Sequence, residues 1–144
     1  MQSITYTESR LAEMMHSAGV RPTLQRIAIM SCVYHSTKHP SADDIYTELS
    51  PEYPSLSLTT VYNSLRALTA AGLLRTVDID SGNMHYDMAL QTPHSHFMCR
   101  GCGRIFDMEM PSDVCGGATP GFVIDCVDVY YKGICPQCAN IQNN

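Results

Sequence analysis

Positive charge is scarce in this chain. Nine lysines and arginines stand against fourteen aspartates and glutamates, a net charge of −5. The shortage is uneven: residues 1–75 carry six basic and six acidic residues, residues 76–144 three and eight. That excludes a global basic field, the usual footprint of a nucleic-acid binder, so any DNA contact must come from a few locally presented side chains. No apolar run reaches membrane-spanning length, and the first ten residues lack the apolar core of a secretory signal. The expectation is a soluble, cytoplasmic protein with no membrane partner. Also missing are a glycine-rich phosphate loop, a nucleophile motif and a general base outside the candidate metal ligands, which argues against an enzyme. There are no internal repeats or low-complexity stretches. A length of 144 residues suits one compact domain or two small ones.

Cysteine is plentiful, and its spacing is informative. Cys99 and Cys102 form one C-x-x-C pair, and Cys135 and Cys138 form another. Two intervening residues let both sulfurs of a tight turn point at one centre. Two such turns supply four soft thiolates, the donor set of a structural tetrahedral zinc site. Gly101, Gly103 and Pro136 supply turn chemistry. A single pair could be a redox motif, but doubled pairs favour zinc over redox and over cysteines buried as small hydrophobes. The three remaining cysteines, Cys32, Cys115 and Cys126, are expected to be buried small hydrophobes. The alternative is a redox pair or second metal site at Cys115 and Cys126.

Apolar spacing predicts helices over Thr7–Ala18, Leu24 to about Ser36, Ala42–Leu49 and about Leu58–Ala71. Thr23 and Ser41 are the expected caps, and Gly19 and Gly72 the expected stops. Strands are predicted at Leu73–Asp78 and Met84–Met88 around the turn Ser81-Gly82-Asn83, then at His96–Cys99 and Arg104–Met108. Pro111–Cys115 reads as the opening of a short helix. Gly121–Tyr131 is the longest strand signal. Helices followed by a hairpin outline a winged helix-turn-helix, and Gln91–Pro93 reads as a hinge. The expected fold class is α+β, with a DNA-binding domain over 1–90 and a metal-binding domain over 91–144.

The fourth helix presents Thr59, Thr60, Tyr62, Asn63, Ser64 and Arg66, groups able to contact base edges and phosphates. Arg21 and Arg26, near the start of the second helix, could reach phosphate. A solvated helix face has the same composition. A second constellation is His94 and His96, which alternate onto one face of a strand, with Asp107 on the strand expected beside it. Asp87 ends the hairpin, and His39 precedes Pro40. Three imidazoles and two carboxylates suit divalent iron, manganese or zinc rather than calcium. Alternatives from other classes are a hydrolytic or redox metal enzyme and a zinc-ribbon module that binds no DNA.

Four ordered segments carry a resemblance: Arg21-Pro22-Thr23-Leu24-Gln25-Arg26, His39-Pro40-Ser41-Ala42-Asp43-Asp44-Ile45-Tyr46, Thr60-Val61-Tyr62-Asn63-Ser64-Leu65, and His94-Ser95-His96-Phe97-Met98-Cys99-Arg100-Gly101-Cys102-Gly103. They resemble the ferric uptake regulator (Fur) family over nearly the whole chain, and most of all its peroxide-responsive repressors. The resemblance implies an N-terminal winged helix hinged to a small C-terminal α/β dimerisation domain with a four-cysteine zinc site. It implies a homodimer that binds double-stranded operator DNA under metal control. Carried over residue by residue, structural zinc falls at Cys99, Cys102, Cys135 and Cys138. Regulatory Fe(II) or Mn(II) falls at His39, Asp87, His94, His96 and Asp107, and Tyr62 falls at the family's base-contacting tyrosine; the residues themselves make Arg21, Thr59, Thr60, Tyr62, Asn63 and Arg66 the expected DNA contacts. An aspartate at 107, where the family's iron sensors carry glutamate, and Asn63 after Tyr62 both imply the peroxide-sensing branch. There, iron-catalysed oxidation strikes a ligand imidazole, here His39 or His94, with peroxide as the signal. The alternative is an iron, manganese or zinc uptake regulator without that chemistry. Pro93 and Ser95 leave the family's third metal site without ligands. The stretch around Gly116-Gly117 is short for the family's dimerisation helix.

Overall fold

The computed structural model describes residues 6–89, 92–113 and 120–142. The chain divides into two compact units, 1–91 and 92–144.

The first unit holds four helices, α1 (Glu8–Ser17), α2 (Leu24–His35), α3 (Ala42–Leu49) and α4 (Leu58–Ala70), followed by strands β1 (Leu74–Asp80) and β2 (Asn83–Met88). Each helix starts on a hydroxyl cap. The side chains of Thr7, Thr23, Ser41 and Ser57 accept from the amides of Arg10, Arg26, Asp44 and Thr60. At α3 the cap is reciprocal, because Asp44 also accepts from the Ser41 amide at 3.0 Å, satisfying two otherwise orphaned donors. Gly19 and Gly72, at φ +79° and +77°, follow α1 and α4 in the left-handed conformation that glycine adopts most readily. The apolar stripes meet in one core of Leu11, Met15, Ile29, Met30, Ile45, Val61, Leu65 and Leu68, to which the hairpin adds Leu74 and Met88. β1 and β2 pair antiparallel, with an irregularity between Val77 and Asp80. Helices α2–α4 plus this hairpin have the layout of a winged helix-turn-helix.

The second unit is a three-stranded sheet in the order β4-β3-β5, with β3 (His94–Cys99), β4 (Ile105–Glu109) and β5 (Tyr130–Gly133), followed by α5 (Pro136–Gln142). β3 pairs antiparallel with β4 and parallel with β5.

Several expectations need correction. Gly121–Tyr131 does not form a long strand: only Tyr130 onward joins the sheet, and Phe122, Val123 and Ile124 stand exposed. A β-branched run has strand propensity, but that propensity is realised only against a pairing strand and a covered face. β3 begins at His94, two residues earlier than expected, so both histidines lie on the strand. Helix α5 is an addition to the expected elements. Ser64 is buried rather than presented, and Leu58, which the apolar spacing puts on the core face with Val61, Leu65 and Leu68, is only half-buried. Cys32 is buried as expected, whereas Cys126 is exposed. Residues 114–115 of the expected short helix, Cys115, the Gly116-Gly117 pair and residue 91 of the expected hinge lie outside the described residues.

Candidate metal centres and the exposed face of α4

The two cysteine pairs become one cluster because of strand pairing. β3 ends at Cys99, and the parallel register sets Cys99 opposite Gly133 of β5. Each strand therefore delivers its following turn to the same edge of the sheet. The first turn is closed by the Gly103 amide donating to the Cys99 carbonyl at 2.8 Å, with Gly103 at φ +73°. The second is Cys135 followed by Pro136, which opens α5 and places Cys138 two residues further on. The four sulfurs all lie within 4.8 Å of one another, and those of Cys102 and Cys135 are 3.9 Å apart. Zinc–sulfur bonds in a tetrahedron set sulfurs about 3.8 Å apart, so the cluster fits zinc. The Cys135 amide donates to Cys99 Sγ at 3.3 Å and favours its thiolate, lowering that thiol to about 6. Cys138 moves the other way, to about 12, because it shares hydrogen bonds with Cys135, Cys99 and Cys102. Sulfurs this close cannot all be thiolate without a cation among them. Gly101 leaves room for the cluster: a Cβ there would meet Cys138 Sγ at 3.1 Å.

The other candidate ligands fall on both units. In the second, His94 and His96 share one face of β3, their ring centroids 4.6 Å apart. Ser95 points to the opposite face and donates its hydroxyl to the Glu109 carbonyl at 2.7 Å. His96 is paired directly across the ladder with Asp107. Asp107 Oδ1 lies 3.2 Å from His94 Nε2 and 3.6 Å from His96 Nε2. His94 Nδ1 donates to the Thr92 carbonyl at 2.9 Å, which fixes the tautomer and leaves Nε2 as a lone pair facing the carboxylate. Two acceptors in that arrangement require a cation, proton or metal, between them. In the first unit, His39 and Asp87 are buried, with His39 Nε2 3.7 Å from Asp87 Oδ2. Asp87 Oδ2 also lies 3.4 Å from an Arg75 guanidinium nitrogen, and Oδ1 accepts from the Met88 amide at 2.9 Å. His39 stands at φ +50°, a left-handed conformation costing roughly 1–2 kcal/mol for a residue with a Cβ. Strain of that kind gathers at functional positions. Imidazoles and carboxylates are the donors suited to divalent iron or manganese.

The α4 face is as the spacing suggests, Ser64 apart. Thr59, Tyr62, Asn63 and Arg66 are exposed and Thr60 is half-buried. A groove of about 570 Å³ between α4 and the start of α2 brings Thr60 and Asn63 together with Arg21 and Arg26. A second, apolar pocket of about 340 Å³ separates Tyr62 and Arg66 from Thr76 and Tyr86 of the hairpin. Burial raises the Tyr86 hydroxyl, and the neighbouring Tyr62 adds to that. Sequence reasoning missed Tyr86, as it also missed His85, because an isolated aromatic or histidine in a strand carries no spacing signal.

Comparison with known proteins agrees with this layout. The model of the ferric uptake regulator family matches residues 17–113. The peroxide operon regulator of Bacillus subtilis (strain 168) is 32% identical over 136 residues, 92% of this chain and 93% of that protein. The peroxide-responsive repressor PerR of Staphylococcus epidermidis is 35% identical over 111 residues, covering 77% and 73%. Among solved structures, Helicobacter pylori Fur, described with three functional metal-binding sites, superposes with a TM-score of 0.75 at 22% identity over 96% and 97% of the two chains, a likeness of fold. The peroxide-sensing PerR of Streptococcus pyogenes superposes at 0.54 with 34% identity over 95% and 96%. With two thirds of its length matched by the family model and relatives above 30% identity across most of it, the chain belongs to the ferric uptake regulator family.

Proposed function

We propose that this protein is a metal-dependent, DNA-binding transcriptional repressor that acts as a homodimer on operator DNA and is released by peroxide. The observation that carries the reading is the aspartate set directly across the β3–β4 ladder from His96 and within 3.2 Å of His94. It is supported by likeness to relatives named as peroxide regulators.

Zinc at Cys99, Cys102, Cys135 and Cys138 contributes to the folding free energy of the second unit. Fe(II) or Mn(II) would be held by His39, Asp87, His94, His96 and Asp107, whose imidazole and carboxylate donors suit either ion. Such an ion would favour one arrangement of the chain over another only by its differential affinity for it. Arg21, just before α2, and Thr59, Thr60, Tyr62, Asn63 and Arg66 of α4 contact the operator. Ferrous iron held there would supply the redox chemistry that activates peroxide. The imidazole of His39 or His94 then gains one oxygen: a ring C–H becomes a carbonyl with its proton on nitrogen, and peroxide leaves as water. The ring loses two electrons and peroxide gains two. An oxidised ring is a poorer donor, and operator affinity falls with metal affinity.

The test is anaerobic operator binding by zinc-loaded protein, with Fe(II) or Mn(II), before and after a low dose of peroxide, followed by peptide mass analysis. Loss of binding in the iron sample alone, with one added oxygen at His39 or His94, is the expected result. Retained binding without added oxygen makes the protein a metal-uptake regulator instead.

A further inference from the structure

One buried imidazole of the first unit is not among the ligands named above. His85 stands on β2, 8% exposed, two residues before Asp87. Its Nδ1 lies 2.6 Å from the His39 carbonyl oxygen, and its Nε2 lies 3.3 Å from Asp80 Oδ2. A carbonyl can only accept, so Nδ1 carries a proton and donates it. The neighbouring contacts fasten the same two segments together. The Tyr86 amide donates to the Pro40 carbonyl at 3.0 Å, Ser41 and His85 form an isolated β-bridge, and Asp87 faces His39 Nε2. The carbonyl that His85 holds belongs to the one non-glycine residue in the left-handed conformation among the described residues. A backbone held there needs its surroundings to over-determine it, and the His85 ring is the side chain that grips it.

We propose that His85 is a positioning residue for the regulatory metal site. Its Nδ1–H clamps the His39 carbonyl, keeps the turn at His39 left-handed and so aims the His39 imidazole at Asp87. Asp80, at the end of β1, steadies the other side of the ring. The proposal rests on His39 and Asp87 being metal ligands. It adds a residue that touches no metal but sets the direction of one that does, the usual task of groups around a ligand shell.

The experiment uses full-length, zinc-loaded protein and Mn(II) alone as the probe, with free manganese read from its paramagnetic resonance signal. Three variants are compared. His85→Phe keeps a ring but has no donor, His85→Asn keeps an amide donor near the Nδ1 position, and His39→Ala reports whether His39 is a ligand. His85→Phe is expected to weaken Mn(II) binding on the order of 10- to 100-fold, with His85→Asn recovering most of the loss and zinc content unchanged in both. Wild-type affinity in His85→Phe while His39→Ala is weakened overturns the positioning role. Equal weakening in His85→Phe and His85→Asn also overturns it, because the ring then acts through packing. Unchanged affinity in His39→Ala defeats the ligand reading, and the proposal falls with it. A long-range proton–nitrogen spectrum of the wild-type zinc form needs no variant. A protonated His85 Nδ1 is expected, and an unprotonated one overturns the clamp.

Discussion

The Asp107 carboxylate reaches both β3 imidazoles from the neighbouring strand, through one oxygen. Glutamate adds one carbon–carbon bond, about 1.5 Å, enough to change which oxygen meets which imidazole. Asp107→Glu is expected to keep iron-dependent operator binding while blunting release by peroxide; unchanged release in that variant counts against the proposed chemistry. The juxtaposition behind this was legible because strand alternation puts residues i and i+2 on one face. The role of His85 was not legible, since the partner that gives it meaning is a carbonyl 46 residues away. Thiols divide in a similar way. Cys32 is buried and donates to Glu48 at 3.1 Å; burial, then that carboxylate, push it up to about 12. With the folded value above the unfolded one, its contribution to stability is present below about pH 9 and is lost as pH climbs toward 12. In native zinc-loaded protein at about pH 8, an alkylating reagent should label Cys126 readily and Cys32 only after unfolding. Fast native labelling of Cys32 would contradict its burial.

At the scale of elements, the four N-terminal helices were legible because each carries its own punctuation. A hydroxyl cap, an apolar stripe and, after α1 and α4, a glycine stop agree with one another before any tertiary contact is considered. Leu65 shows what the stripe contributes. It is fully buried on α4, and Leu65→Ala is expected to destabilise the first unit by about 2–5 kcal/mol. Urea unfolding of the zinc-loaded protein measures it, and a loss below about 1 kcal/mol would mean that α4 is held by something other than that core. The stretch 121–129 escapes for the converse reason. Phe122, Val123 and Ile124 have strand chemistry, but whether such a run pairs depends on what lies beside it, which no local pattern encodes. Helix α5 escapes because its seven residues are too few to show a period.

Across the whole molecule, charge limits how the protein can hold DNA. Three arginines per chain, Arg21, Arg26 and Arg66, belong to the groove and the α4 face. A dimer using all of them neutralises about six phosphates, so the logarithm of operator affinity should fall with the logarithm of salt at a slope near about −5. A slope near about −10 in a filter-binding or anisotropy titration would require cationic contacts outside this set. Composition made the modest electrostatics legible. The expected hinge at Gln91–Pro93 likewise separates His39 and Asp87 from His94, His96 and Asp107, as the division of the chain at 91/92 does.

The pairing of His96 with Asp107 has a consequence for the order in which the protein matures. A β-ladder that slips by one residue turns its side chains to the opposite face, and Asp107 would then point away from both histidines. The same ladder runs on to Cys99, where the Cys99 amide bonds the Arg104 carbonyl at 3.0 Å as the hairpin closes. Zinc seated there acts as a pin through the end of a ruler: once it is in, every rung beyond is counted correctly. Metal loading should therefore be sequential rather than independent. Apoprotein given manganese first is expected to bind it weakly until zinc arrives, whereas zinc-loaded protein takes it up at once. Equal manganese uptake in both orders of addition would mean that the hairpin keeps its own count.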